Sequence, residues 1–109
     1  MAEDLKLTMP VLKLLRAMLG NPSGEHYGFE MMQASGLASG TLYPALRRLE
    51  GAGWITGAWE TAVEGRPPRR YYTLTTSGAE RARLAVAEAR AALGPSAPRV
   101  RLRPAGRLT

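Results

Sequence analysis

The chain has 109 residues, a formal net charge of +6 and no cysteine, which suits one domain with a modest core and excludes disulfides and thiolate metal sites. No apolar run approaches the roughly 20 residues that span a bilayer, and the N-terminus lacks the pattern of a signal peptide, so a soluble, cytoplasmic protein without membrane contact is expected. Four of the fifteen basic residues, Arg99, Arg101, Arg103 and Arg107, crowd into residues 95–109 with no acid among them, so bulk charge describes the tail and local clustering must carry any argument about the rest.

Residues 1–7 read as a flexible N-terminus. Thr8 can cap a helix, and Pro10 is tolerated in its first turn. Val11, Leu12, Leu14, Leu15, Met18 and Leu19 are apolar nearly all round, so this helix must be buried on more than one side. Either it lies in the middle of the fold or Leu12 and Leu15 also meet a second subunit. Gly20-Asn21-Pro22-Ser23-Gly24 ends it. A shorter helix is expected from about Tyr27 to Ser35, with Phe29, Met31 and Met32 as its apolar contacts and Gly36 as its stop. His26 falls in the turn before it without partners of metal-ligand spacing, so no metal role is expected.

Only Gly36-Leu37-Ala38 separates this helix from the next, the short turn of a helix-turn-helix. The third helix starts at Ser39-Gly40-Thr41, where Ser39 can accept from first-turn N–H groups. Leu42, Ala45, Leu46 and Leu49 share its apolar face. Gly40, Pro44, Arg47 and Gly51 fall opposite, with Thr41 and Arg48 to one side. That outer face is small, polar and basic, with nothing bulky to hold the helix away from a groove floor. The plainer alternative is an amphipathic helix with solvated arginines.

The period then changes to that of strands. Trp54 to Glu60 and Arg69 to Thr75 read as two strands around the polar loop Thr61–Pro68, which makes a β-hairpin with a basic tip. Arg66, Arg69 and Arg70 lie within five residues and, with Arg47 and Arg48, suggest a phosphate-binding footprint. Thr75, Thr76 or Ser77 caps a fourth helix, and Ser77-Gly78-Ala79-Glu80 fits a capping box. Ala79, Ala82, Val86, Ala89 and Leu93 form a stripe of mostly small residues that permits close helix approach. A helix with so little bulk needs a partner surface, and a dimer built from it and the first helix is expected. Folding back onto its own domain is the alternative. Residues 95–109 read as a disordered basic tail.

The expected fold is therefore mainly α with a small β-hairpin: a winged helix-turn-helix over residues 8–75 and a C-terminal dimerisation helix over 76–94. In that arrangement the third helix enters a major groove, about 12 Å wide in B-DNA, and the hairpin follows the backbone or an adjacent minor groove. Arginine suits both tasks, because its fork pairs with phosphate or with guanine.

His26-Tyr27-Gly28-Phe29-Glu30, then Gly40-Thr41-Leu42-Tyr43-Pro44-Ala45-Leu46, then Pro67-Pro68-Arg69-Arg70-Tyr71-Tyr72-Thr73-Leu74-Thr75 resemble the PadR family of transcriptional regulators. The resemblance covers roughly residues 8–93 and is to the short form of the family. It implies a homodimer that binds double-stranded DNA at an inverted-repeat operator, usually as a repressor, with release by a small molecule in some members. It also implies that Tyr43 contacts phosphate, that Ser39, Thr41 and Arg47 face the groove, and that Arg66, Arg69 and Arg70 form the basic wing. Some members hold flat aromatic compounds against tryptophans. The fourth helix has no aromatic residue here, which leaves Trp54, Trp59, Tyr27 and Phe29 available to an aromatic effector, with core packing as the plainer reading of each. The rival reading is a winged-helix protein-interaction module whose tail binds nucleic acid nonspecifically. No cofactor is expected, and no nucleophile–base pair or phosphate-cradling loop points to an enzyme.

Overall fold

The computed structural model describes residues 5–93. Its elements run α1 (Met9–Leu19), β1 (His26–Tyr27), α2 (Gly28–Ser35), α3 (Ser39–Gly51), β2 (Ile55–Trp59), β3 (Arg70–Leu74) and α4 (Thr76–Leu93). Thr8 caps α1 as its sequence suggests, with its hydroxyl accepting from the Val11 N–H at 3.3 Å. Val11, Leu14, Leu15 and Met18 are buried along α1, which touches α2, α3 and α4. The near-continuous apolar surface of α1 is explained by this central position. Leu15 lies wholly inside the chain's own core, so it has no surface to offer a second subunit; Leu12 stays partly buried at the edge. The lead-in is also less free than its composition suggests, because Leu5 packs against the core. Residues 1–4 and the tail 95–109 lie outside the described residues, as does the side chain of Leu93.

The sheet has three strands in the order β1-β3-β2, all antiparallel. The hairpin is the expected one. The third strand is an addition, in which His26 pairs with Tyr72 and Tyr27 with Tyr71. Two residues are too few for a period-two signal, and only the edge of β3 gives them a ladder. His26 donates from Nε2 to the Asn21 carbonyl at 2.9 Å, which pins the turn after α1 to this strand.

Two local expectations change and a third narrows to one of its candidates. Ala38, not Ser39, is the N-cap of α3, with no side-chain bond, and Ser39 is already helical. Thr75 caps α4: its hydroxyl accepts from the Gly78 N–H at 2.8 Å and donates to the Gly53 carbonyl at 2.9 Å. Ser77 therefore lies inside the first turn, and the Ser77–Glu80 box does not form the cap. Phe29 is 68% exposed, because Met31, two residues and some 200° further round α2, takes the core position.

The core joins the apolar faces of α1 and α3 to Trp54, Ile55, Tyr72 and Leu74 of the sheet. At the end of α3, Gly53 takes a positive φ of 81°, which lets the Trp54 N–H reach back to the Leu49 carbonyl at 3.0 Å. Helix α4 closes over α1 with Ala82 and Ala85 buried. Gly78 sits directly on the Trp54 carbonyl, where a Cβ would overlap it. The small residues of α4 thus serve close packing within the chain. Ala82 faces α1 of its own domain and is not free for a second subunit. Among the described residues, no helix is long and apolar enough to cross a membrane.

Candidate nucleic-acid interface

Four buried residues, Leu42, Ala45, Leu46 and Leu49, seat α3 on the core. That leaves Ser39, Gly40, Thr41, Arg47, Arg48 and Gly51 on its exposed side. Pro44 lies inside the helix; it has no N–H to give the Gly40 carbonyl one turn earlier. Tyr43 is 39% exposed. Its hydroxyl lies over the α-carbon of Gly28, at the start of α2, where any Cβ would collide with it. The ring is thereby held between the two helices with one edge outward. Among the described residues, Arg47 and Arg48 make no ion pair.

The arginines of the wing are in a different situation. Successive strand residues point to opposite faces of a sheet, so Arg69 and Arg70 diverge. Arg69 lies over the Tyr27 ring at 4.6 Å, and Tyr27 in turn sits 5.8 Å from the Tyr71 ring. Glu60, at the end of β2, collects this outer side. It pairs with the Arg66 guanidinium, accepts from the Arg69 backbone N–H at 3.0 Å and from Arg69 Nε at 3.4 Å, and accepts from the Tyr27 hydroxyl at 3.4 Å. The hydrogen bond from Arg66 is the main reason its carboxyl is held down at about 2, with the Arg69 N–H adding to it. Arg66 is raised above its ordinary value by the same bond. Tyr27 is raised as well, first by desolvation and then by the negative charge of Glu60.

On the inner side, Arg70 donates from Nη2 to Glu50 Oε2 at 3.1 Å. Its guanidinium stands 5.5 Å from the ring centroids of both Trp59 and Tyr72. It crosses β2 at Gly57, where a Cβ would come within 2.5 Å of Nη2. A glycine that weakens the strand is thus the gap through which the side chain passes.

The expected basic footprint therefore divides. Arg47 and Arg48 are available on α3, Arg66 and Arg69 share a carboxylate at the wing, and Arg70 turns back toward α3. Trp54 is core at 8% exposure, the plainer of the two readings its sequence allowed. Trp59 is exposed and carries Arg70 over its ring. Neither Glu60 nor Glu50 was singled out from sequence, and Tyr27 was named only as an aromatic. A signal existed for Glu60, an acid ending one strand of a hairpin whose other strand starts with arginine.

The family model for the transcriptional regulator PadR-like family matches residues 15–84. The chain belongs to the PadR-like family of transcriptional regulators. The PadR resemblance of the α3 and β3 motifs is thus confirmed over the helix-turn-helix, the wing and part of α4. Solved structures agree with the family. The circadian clock associated protein Pex from Anabaena is 28% identical with a TM-score of 0.60, over 78% of this chain and 77% of that one. A PadR family transcriptional regulator from Eggerthella lenta is 29% identical with a TM-score of 0.58, over 76% and 81%. A PadR family transcription regulator from Clostridium difficile is 25% identical with a TM-score of 0.60, over 72% and 86%. No curated protein matches the sequence. For a PadR-like regulator the outer face of α3 and the wing are the surfaces to consider against DNA.

Proposed function

We propose that this chain is a cytoplasmic, homodimeric repressor that binds an inverted-repeat operator, with α3 in the major groove and the wing on the flanking backbone. The observation that carries the reading is the outer face of α3. Two exposed guanidiniums that make no ion pair among the described residues share the outer side with Ser39 and Thr41, on a helix whose other face is fully seated. Exposed cations cost little to leave in water and gain most from phosphate or guanine. Arg47 is assigned a base edge and Arg48 a phosphate. Tyr43 reaches a phosphate with the edge it leaves outward. Arg66 and Arg69 serve the backbone beside the wing.

A two-fold operator needs two copies of α3. Support for a dimer comes from the α1–α4 side. An open groove of about 180 Å³ runs between these helices, with Met9, Leu12, Val86 and Ala89 among its lining and Arg16 and Arg90 beside them. Met9, in that lining, is 64% exposed. The dimer contact is thus assigned to Leu12, Ala79, Val86 and Ala89 with Met9, and no longer to Leu15 and Ala82.

Selection of bound fragments from the source genome tests the reading. The expected result is enrichment of a short inverted repeat, bound by a species of twice the chain mass in sedimentation. Fragments without symmetry, or no enrichment at all, would overturn it.

A further inference from the structure

The second arginine of the wing is placed differently from its neighbours. In the β2–β3 register, Trp59 lies across from Arg70, Gly57 from Tyr72 and Ile55 from Leu74. All six side-chain positions share one face of the sheet, the face that supplies Ile55, Tyr72 and Leu74 to the core. Arg70 stands at the outer end of that face. Its guanidinium bends inward over Gly57, between the Trp59 and Tyr72 rings, and ends on Glu50 in the last turn of α3.

We propose that Glu50 and Arg70 clamp the wing to α3, so that Arg70 sets the angle between the two DNA-facing surfaces and does not itself contact phosphate. The inference rests on the DNA-binding reading above. An ion pair at this exposure holds little by itself. Here three further constraints act on the same group: two aromatic faces attract the cation, and the gap at Gly57 gives it one path. The contact also joins α3 to the outer end of the hairpin, whereas Trp54, Ile55, Tyr72 and Leu74 anchor its other end in the core. Without it the wing can swing about that end, and helix and wing no longer meet one duplex together. A merely electrostatic role predicts the opposite sign at Glu50, since removing an acid beside DNA should tighten binding.

The test uses the full chain and the duplex recovered by the genomic selection. Glu50→Gln and Arg70→Gln should each weaken binding about tenfold, and the double variant should be no weaker than either, as expected of contacting partners. Arg70→Lys should recover part of the loss. Gly57→Ala keeps both charges but fills the path of the guanidinium, and should behave like Glu50→Gln. The slope of log affinity against log salt should stay at the parent value in Arg70→Gln. A slope smaller by about 0.9 would instead identify a phosphate contact and overturn the clamp, as would tighter binding by Glu50→Gln. Thermal melts keep loss of fold apart from loss of the clamp. Acrylamide quenching of tryptophan in the free protein gives a second readout, because Trp59 is exposed and Trp54 is buried. Quenching should rise in Glu50→Gln and Gly57→Ala. If the parent recovers no duplex, the DNA-binding reading falls, and unchanged quenching in both variants would then overturn the clamp separately.

Discussion

Arg47 and Arg48 on α3 make no ion pair among the described residues, whereas each arginine of the wing makes one: Arg66 and Arg69 share Glu60, and Arg70 meets Glu50. The two surfaces carry the same residue type in different electrostatic states. On α3 a guanidinium exchanges water for DNA. At the wing it must exchange Glu60 for a phosphate, or keep Glu60 and add the phosphate to its free donors. A count of arginines therefore overstates the wing and understates α3. In return the wing is ordered before DNA arrives, because Glu60 ties the loop base to β1 through Tyr27.

The largest expected effect removes the support that both surfaces share. Leu46→Ala should destabilise the domain by about 2–5 kcal/mol, read from urea denaturation, with both binding surfaces lost together. A loss of binding without a loss of stability would show that α3 is not seated on this core. Next comes Arg47→Ala, which should cost about 1–3 kcal/mol of operator affinity and relax preference at one position. Arg69→Ala should weaken all sequences alike, so the same sequence profile from both variants would erase the distinction between helix and wing.

The third effect is a pH dependence confined to the wing. Glu60 is held at about 2, below its ordinary 4.5. Its stabilising contribution is thus fully present above about 4.5 and is lost as pH falls through about 2. An NMR titration of the Arg66 and Arg69 Nε–H signals should follow that loss, and Glu60→Gln should abolish it while the α3 signals stay unchanged. The smallest effect is Arg48→Ala, which should reduce the salt slope of binding by about 0.9 if its single phosphate contact is correctly assigned. An unchanged slope would remove Arg48 from the interface.

Much of the fold is legible along the chain because its signals are local. Thr8 and Pro10 start α1, Gly36 and Gly53 end helices through positive φ, and the alternation of Tyr72 and Leu74 marks a strand with one buried side. The misplacements share a cause. Ser39 and Phe29 each have the right residue type for the role expected, but a neighbour one or two positions away takes it: Ala38 as cap, Met31 in the core. A periodic pattern fixes a face to within a residue, and packing chooses within that range.

The sequence by itself determined the order of elements, the apolar seat of α3, its basic outer face and the PadR-like family, since each depends on residues within a turn or a strand of one another. Only the tertiary structure decided which arginines are free. Glu60 meets Arg66 and Arg69 across a hairpin, and Glu50 meets Arg70 from another element, so no spacing along the chain announces either pair. The roles of Gly28, Gly57 and Gly78 were hidden for the same reason. Each is a place where a distant group, the Tyr43 hydroxyl, the Arg70 guanidinium or the Trp54 carbonyl, occupies the space a side chain would need.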